Sequence, residues 1–343
     1  MNDLNVSDDV TEDSYHVTTL EVILIIPDIL VFIIGIIGNG TLCLIIFANQ
    51  SMRTRHNTLI CNLAVGDLIF LLFNVPIKII HTFNPTIFDS VASCKMASIC
   101  SVITIAVSSL SIAALSAERY FASATARNTT MTVLKLKKIV VPTIWICAII
   151  CSIPVLVLAK IMDHGGKTYC QYMPVETSYA IAYEVMIGIA LIIIPLIITV
   201  AFYLSMARKL VRDYSEMSAG GSSSREENSV HHDSVSRQRR ERGRQSLAAT
   251  VIAIAVIFGI CWLPITFFNI LIKVALHNEM WYILDWPGLH ALGQVLGIFS
   301  HMNSCVNPIV LYIRSRTYHT YFNKYLCYCC TNARRYMKPP VST

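Results

Sequence analysis

Charged residues are scarce in this sequence of 343 residues. Asp, Glu, Lys and Arg together make up 14% of the chain, whereas 55% of it is hydrophobic. Soluble domains usually carry about 25% charged residues, so this composition argues against a large soluble protein. A mean hydropathy of +0.58 supports the same interpretation. We therefore expect a membrane protein.

Seven runs of 20 or more mainly apolar residues account for most of the chain. A helix of about 20 residues crosses a hydrocarbon core of about 30 Å, so each run is long enough to span a bilayer. The sequence predicts an all-α membrane protein, a seven-transmembrane helix bundle with a short amphipathic helix after the last span. The runs lie at about residues 20–48, 57–82, 93–122, 138–160, 177–208, 246–275 and 286–313.

A signal peptide is not evident, because residues 1–19 are polar and acidic and lack a basic start. Lys and Arg are concentrated in alternate connections, which the positive-inside rule places in the cytosol. We predict a multi-pass protein of the plasma membrane, with its N-terminus extracellular and its C-terminus cytoplasmic. The basic run at 237–244 lies between two spans, so topology explains it and nucleic-acid binding is not expected.

The predicted organisation has four parts. An extracellular tail at 1–19 precedes the bundle at 20–313. Within the bundle, a Gly- and Ser-rich polar segment at about 209–245 predicts a flexible third cytoplasmic loop. Basic residues alternate with aromatic residues at 314–330, which predicts an amphipathic helix on the membrane surface. Residues 331–343 form a cytoplasmic tail.

Cysteine usage follows the predicted topology. Of the 12 cysteines, only Cys94 and Cys170 lie at or near connections on the outer side, so they are the predicted disulfide. Three more, Cys327, Cys329 and Cys330, closely follow the last span and are predicted sites of palmitoylation. In the outer tail, Asn5 begins an Asn-Val-Ser acceptor for N-glycosylation.

Motifs of enzymes and transporters are missing. The chain has no Gly-x-Ser-x-Gly, no His-Glu-x-x-His and no paired intramembrane aspartates, so we do not expect an enzyme. Its halves show no internal symmetry of the kind found in transporters. A carboxylate at mid-membrane, Asp67, is nevertheless a functional candidate, and an ion path through a transporter or channel remains an alternative.

A series of different short motifs occurs along the seven spans. With this order and spacing, the chain resembles the rhodopsin-like G-protein-coupled receptors over about residues 20–330. The resemblance implies a receptor that binds an extracellular ligand and activates a heterotrimeric G protein, with receptor kinase, arrestin and the lipid bilayer as further partners. The motifs are Gly38-Asn39, Asn62 to Asp67, Cys94, Glu118-Arg119-Tyr120, Trp145, Cys170, Pro195 with Tyr203, Cys261 to Pro264, and Asn307-Pro308 with Tyr312.

The resemblance implies a sodium pocket around Asp67. A hard cation prefers oxygen ligands, and the matching residues supply them. Regulatory Na⁺ is expected there, and no other metal or cofactor is expected in the chain. The full predicted set is Asn39, Asp67, Ser108, Asn303, Ser304 and Asn307.

The resemblance also implies an activation switch. In the resting state, Glu118 and Arg119 are expected to neutralise each other, and in the active state Arg119 is expected to face the G protein. Trp262 is expected to move beneath the ligand, with a hinge at the proline two residues on. The predicted set is Glu118, Arg119, Tyr120, Tyr203, Trp262, Pro264, Pro308 and Tyr312.

Two ligand classes are argued against by missing residues. Residues 95–117 contain no acid to pair with an amine, and residues 285–313 contain no lysine for retinal. The chain is most similar to bombesin-type and CCHamide-type peptide receptors, which implies an extracellular peptide; a non-peptide small ligand remains the alternative. The predicted ligand pocket comprises Ser101, Glu184, Asn269 and His301. Acids near the outer face predict a ligand with some positive charge: Asp89, Asp163, Glu176, Glu184, Glu279 and Asp285.

Overall fold

The computed structural model describes residues 19–83, 90–124, 130–164, 167–173, 178–219 and 227–336. Within these ranges, seven helices are long and apolar enough to cross a membrane, which confirms the predicted seven-helix bundle. Their bounds are α1 Thr19–Ala48, α2 Arg55–Phe83, α3 Val91–Ala124, α4 Thr130–Leu158, α5 Ser178–Ile187 with its continuation to Ala219, α6 Glu227–His277 and α7 Pro287–Arg314. Helix α8 follows at Arg316–Tyr336, and short 3₁₀ helices lie at Gln50–Met52 and Trp281–Asp285.

Between α4 and α5 the chain forms a β-hairpin. Strand β1, Lys160–His164, pairs antiparallel with β2, Lys167–Gln171. The register places Cys170 opposite Ile161. The hairpin therefore presents Cys170 close to the start of α3, where the chain carries its other predicted disulfide cysteine.

Helix α3 lies at the centre of the bundle. Its span is 61% buried, against 22% for α4, and it packs against α2, α4, α5, α6 and both strands. Small residues let neighbouring backbones approach closely. A Cβ added to Gly66 on α2 would lie 2.9 Å from Val107 Cγ1 on α3, closer than real Cβ contacts. The spacing between α2 and α3 therefore depends on the glycine.

Helices α1 and α7 also meet at a glycine. A Cβ on Gly38 would lie 2.7 Å from Pro308 Cγ. Beside this contact, Asn39 Nδ2 donates hydrogen bonds to Gly35 O at 3.0 Å and to Ser304 O at 2.7 Å. The pair is thus held by both close packing and a polar bond.

Helix α5 contains a π-helical turn at Gly188–Ile193, between its parts Ser178–Ile187 and Ile194–Ala219. Pro195 follows this turn by two residues. Proline has no N–H to donate and its ring clashes with the carbonyl four residues earlier. A wider turn relieves that clash, so the proline explains the local change of helix type.

Helix occupies part of the segment that was predicted as a flexible loop. Helix α5 continues to Ala219 and α6 begins at Glu227, so helix enters the predicted range of 209–245 from both sides. Acidic and basic residues spaced four apart, such as Asp233 and Arg237, favour a helix in this polar sequence. At the other boundary, α8 extends to Tyr336 and so passes the predicted end at 330.

Candidate functional site

Polar groups are concentrated at three levels of the bundle: the end that carries the disulfide, the middle around Asp67, and the opposite end around Arg119. We call the two ends the disulfide end and the Arg119 end. Cys94 and Cys170 are joined in a disulfide, and Cys94 is fully buried. This bond attaches the β-hairpin to α3 at the mouth of the bundle.

A cavity of about 340 Å³ opens at the disulfide end among α2, α6 and α7. Two glycines on one face of α7 leave space for it. A Cβ on Gly297 would come within 3.8 Å of Lys78 Nζ, and one on Gly293 within 3.2 Å of Phe268 Cε1. The lining residues are Lys78, Phe268, Ile272, Leu289, His290, Gly293, Gln294, Gly297 and His301.

A buried acid on α1 lies behind this cavity. Asp28 is fully buried, and its Oδ1 is 2.7 Å from His301 Nδ1 on α7. Its Oδ2 is 2.8 Å from Lys78 Nζ on α2. A buried carboxylate is very unfavourable without partners, so these contacts tie three helices together.

A second buried acid joins α5 and α6 near the hairpin. Glu184 Oε2 is 2.7 Å from Lys273 Nζ, and the Tyr172 hydroxyl donates to the same oxygen at 2.7 Å. Lys273 Nζ also lies 3.7 Å from the centre of the Tyr172 ring, as in a cation–π contact. Burial, followed by the charge of Glu184, raises the pKa of Tyr172 well above its ordinary value, so the phenol stays a donor.

Aromatic packing leads from the cavity toward the middle of the bundle. Phe70 packs edge-on against His301, with ring centres 5.3 Å apart, and edge-on against Trp262 at 6.3 Å. Phe70 is 2% exposed and Trp262 is 5% exposed. Phe70 therefore connects the cavity residue His301 by packing to Trp262, two residues ahead of Pro264.

In the middle of the bundle, Asp67 is fully buried and receives one hydrogen bond, from Asn307 Nδ2 at 2.8 Å. Five buried side-chain atoms of the predicted sodium set lack a hydrogen-bond partner of normal geometry among the described residues. They are Asp67 Oδ1, Asn39 Oδ1, Ser108 Oγ, Ser304 Oγ and Asn303 Nδ2. Four of these are oxygens, the donor type that a hard cation prefers, so the residues present fit sodium.

At the Arg119 end, a histidine lies between the two charges of the predicted switch. Glu118 Oε2 is 3.2 Å from His56 Nδ1 and 3.6 Å from Arg119 Nε. Arg119 Nε also donates to His56 Nδ1 at 3.2 Å. The arrangement is therefore a three-membered cluster across α2 and α3, which we call the His56 cluster.

The predicted tyrosines have separate environments. Tyr120 packs on Phe121 and Phe202, with ring centres 5.4 Å away in each case. Tyr203 is buried and its hydroxyl lies against Ser116 without a hydrogen bond of normal geometry among the described residues. By contrast, the Tyr312 hydroxyl donates to Asn323 Oδ1 of α8 at 3.1 Å, so it is held by α8 in this state.

Comparison with protein families identifies the architecture. Residues 38–311 match the model of the 7 transmembrane receptor (rhodopsin family), a range that covers most of the chain and includes at least part of each of the seven spans. The chain belongs to this family. The receptor is therefore a multi-pass membrane protein of a non-enzymatic family, as the order of its motifs implied.

Similar receptors of known name are about 30% identical. Human endothelin receptor type B is 29% identical over 321 residues, which cover 88% of this receptor and 67% of that protein. The neuropeptide CCHamide-1 receptor of Drosophila melanogaster is 30% identical over 315 residues, covering 87% and 58%. The human endothelin-1 receptor is 29% identical over 331 residues, covering 90% and 72%.

The receptor brings together some predicted ligand residues but not others. His301 lines the cavity. Ser101 Oγ instead donates to Asn74 Oδ1 at 3.1 Å, and Glu184 is occupied by Lys273. Asn269 is half-buried on α6, next to the cavity residue Phe268.

Sequence reasoning missed four residues of these clusters: Asp28, Lys78, Lys273 and His56. A signal existed for the first three, because each is an isolated charge within an otherwise apolar run. His56 has no such signal, since it stands in a polar stretch at the start of α2. Of the predicted modification sites, Asn5 lies outside the described residues, while Cys327, Cys329 and Cys330 fall within the helical range of α8.

Proposed function

We propose that this receptor binds an extracellular peptide at the disulfide end and activates a heterotrimeric G protein at the Arg119 end. The observation that carries the proposal is that one helix bundle has an open cavity at the disulfide end and the His56 cluster at the other end. A hairpin attached by the disulfide and an open cavity lie at the same end of the bundle, and aromatic contacts lead inward from the cavity. Relatives named as a neuropeptide receptor and as endothelin receptors support a peptide as the ligand class.

The cavity is large enough for one or two side chains of a peptide, with the remainder lying on the hairpin. Its volume of about 340 Å³ also falls in the range of small-molecule sites, about 300–1,000 Å³. A non-peptide ligand is therefore the second candidate. A peptide and a small ligand would both use the space beside Gly297, because the absence of a side chain there leaves part of the cavity open.

A neuropeptide library and a small-metabolite library, applied to cells that express the receptor with calcium and cyclic-AMP readouts, test the proposal. A peptide hit is expected to lose potency by roughly tenfold in Gly297→Leu, which fills the cavity, since a few lost contacts change affinity by that factor. Gly297→Ala is the matched control, because its Cβ makes only an ordinary contact.

The coupling step is tested with Arg119→Gln. Peptide binding to this variant is expected to persist, whereas second-messenger responses are expected to disappear. A response that survives in Arg119→Gln contradicts the role given to the Arg119 end. Hits confined to the metabolite library favour the small-ligand candidate.

We propose that the receptor lies in the plasma membrane and that its Arg119 end faces the cytosol. The basic connections around Arg53 and Arg208 support this orientation through the positive-inside rule. Receptor kinase and arrestin are proposed further partners, supported by the serines that neighbour arginines at 222–236. Glycosylation at Asn5 and palmitoylation in α8 stay predictions that follow from the same orientation.

The charge of the ligand is a finer question. A cationic ligand group was predicted partly from Glu184, but Lys273 already neutralises that carboxylate. Binding of a basic peptide to Glu184→Gln/Lys273→Met, which removes both charges, tests whether the acid contributes. The subfamily assignment to bombesin-type or CCHamide-type receptors is likewise a proposal, supported in part by the CCHamide-1 relative.

Sodium is the proposed regulatory ion of the middle level. Asp67 would hold it together with the buried oxygens of Asn39, Ser108 and Ser304. Bound there, the ion supplies a positive charge to a carboxylate that receives one hydrogen bond from the described residues. It thereby favours the packed arrangement of α1, α2, α3 and α7.

A further inference from the structure

His56 makes two contacts that one nitrogen atom cannot satisfy together. Its Nδ1 lies 3.2 Å from Glu118 Oε2 and also accepts the Nε–H of Arg119 at 3.2 Å. An imidazole nitrogen either carries a proton and donates, or lacks one and accepts. The two contacts therefore belong to two different proton states of His56.

Each state leaves one neighbour without its partner. When Nδ1 is unprotonated, it accepts from Arg119 but faces the carboxylate of Glu118 with a lone pair. When Nδ1 carries a proton, it donates to Glu118 and confronts the N–H of Arg119. Glu118 Oε2 is 3.6 Å from Arg119 Nε, too far for a hydrogen bond of normal length, so His56 decides how firmly Arg119 is held.

We propose that His56 is a positioning residue that rests as the neutral Nε2–H tautomer and retains Arg119 only while its Nδ1 is unprotonated. Acidification at the Arg119 end adds a proton to the ring, turns Nδ1 toward Glu118 and releases Arg119. The receptor then has a higher basal activity at lower pH. This inference rests on the proposed function, because it assigns the released Arg119 to the G protein.

Among the groups around the His56 cluster, we assign the proton taken up on acidification to His56. The other charged or titratable groups near the cluster are Arg55 on α2, Tyr203 on α5 and Tyr318 on α8. Tyr203 is a buried phenol, a group that gains no proton on acidification. Burial, followed by the nearby Cys61, raises the pKa of Tyr318, so this phenol also stays neutral.

Nuclear magnetic resonance of the full receptor in lipid nanodiscs, with ¹⁵N-labelled histidine, tests the proton state without any G protein. The His56 signals are assigned by their loss in His56→Asn. We expect Nδ1 to be unprotonated at pH 8 and protonated at pH 5.5, within the range of about pH 5 to 8 in which histidine changes its charge. An Nδ1 that keeps one proton state across this range overturns the proposal.

Basal nucleotide exchange, measured with heterotrimers of each Gα class and no ligand, tests the consequence. Wild-type receptor is expected to stimulate exchange roughly fivefold more at pH 5.5 than at pH 8, a typical size for coupling between two sites. His56→Asn can donate to Glu118 and accept from Arg119 at once, so its exchange is expected to be low and independent of pH. His56→Leu makes neither bond, so its exchange is expected to be high and independent of pH.

His277→Asn is the matched control, because it changes an exposed histidine at the other end. It is expected to keep the wild-type pH profile. A wild-type profile retained in His56→Asn overturns the proposal even if the variant folds and binds normally. Absence of exchange with every heterotrimer contradicts the proposed function instead, and the resonance of His56 still reports on the proton.

Discussion

The two ends of the bundle treat buried charge differently. At the disulfide end, each acid lies against a lysine and a second side chain of its own: Asp28 against Lys78 and His301, and Glu184 against Lys273 and Tyr172. At the Arg119 end, one acid and one arginine share a single nitrogen of His56. The first arrangement favours one packing of the helices. The second leaves Glu118 and Arg119 in competition for one atom, so on the proposed role of His56 it allows two alternative arrangements.

The largest effect on stability is expected from breaking the buried ion pair of Glu184 and Lys273. Lys273→Met leaves Glu184 charged and buried, which should weaken folding by about 3–5 kcal/mol. Denaturant titration of the purified receptor measures it. The double variant Glu184→Leu/Lys273→Met should recover most of the loss, because it replaces both charges with apolar groups. Equal losses in the single and double variants would show that packing matters there and charge does not.

Lys78→Met should have a smaller effect at the same end. Asp28 keeps its contact of 2.7 Å with His301 when the lysine is removed, so the carboxylate is not left alone. We expect a loss of about 2 kcal/mol, the size of one hydrogen bond to a charged group. The same titration applies, with Asp28→Asn/Lys78→Met as the control. A loss as large as that of Lys273→Met would mean that His301 contributes little.

At the middle level, the stability of the receptor should depend on sodium. Sodium chloride is expected to stabilise the wild-type receptor by about 1–2 kcal/mol over choline chloride, through binding to the folded state. Asp67→Asn should abolish that difference, because it removes the charge while keeping the size of the side chain. Thermal unfolding in the two salts measures it. A sodium effect that survives in Asp67→Asn would place the ion elsewhere.

The smallest effect is expected where α8 holds Tyr312. Asn323→Ala removes the acceptor of the Tyr312 hydroxyl and should shift the resting equilibrium by about 1 kcal/mol, as one neutral hydrogen bond does. Basal nucleotide exchange should rise severalfold. Tyr312→Phe removes the same bond from the other side and should match it. Opposite changes of basal exchange in the two variants would show that loss of this hydrogen bond does not cause the shift of the resting equilibrium.

Hydropathy predicted the seven spans well, because length and apolar composition are local properties of each run. The motif residues were predicted because each stands at a fixed distance within its own helix. Pairing was harder. Glu184 was expected to be available to a ligand, yet Lys273, 89 residues away in sequence, occupies it.

The same limit applies to His56. Its meeting with Glu118 and Arg119 depends on how α2 packs against α3, and no spacing within either helix encodes that. Isolated charges inside apolar runs were the one local sign of such pairs. Asp28, Lys78 and Lys273 all carry it, so a search for cationic and anionic outliers would have found both clusters at the disulfide end.

The contact between Gly38 and Pro308 has a consequence for how related receptors diverge. With 2.7 Å between an added Cβ and the proline ring, any side chain at 38 pushes α1 away from α7. That movement would also separate Asn39 from Ser304 O and disturb the oxygens around Asp67. Change at position 38 should therefore be tolerated in evolution only together with change at 308, so the two positions are expected to vary as a pair.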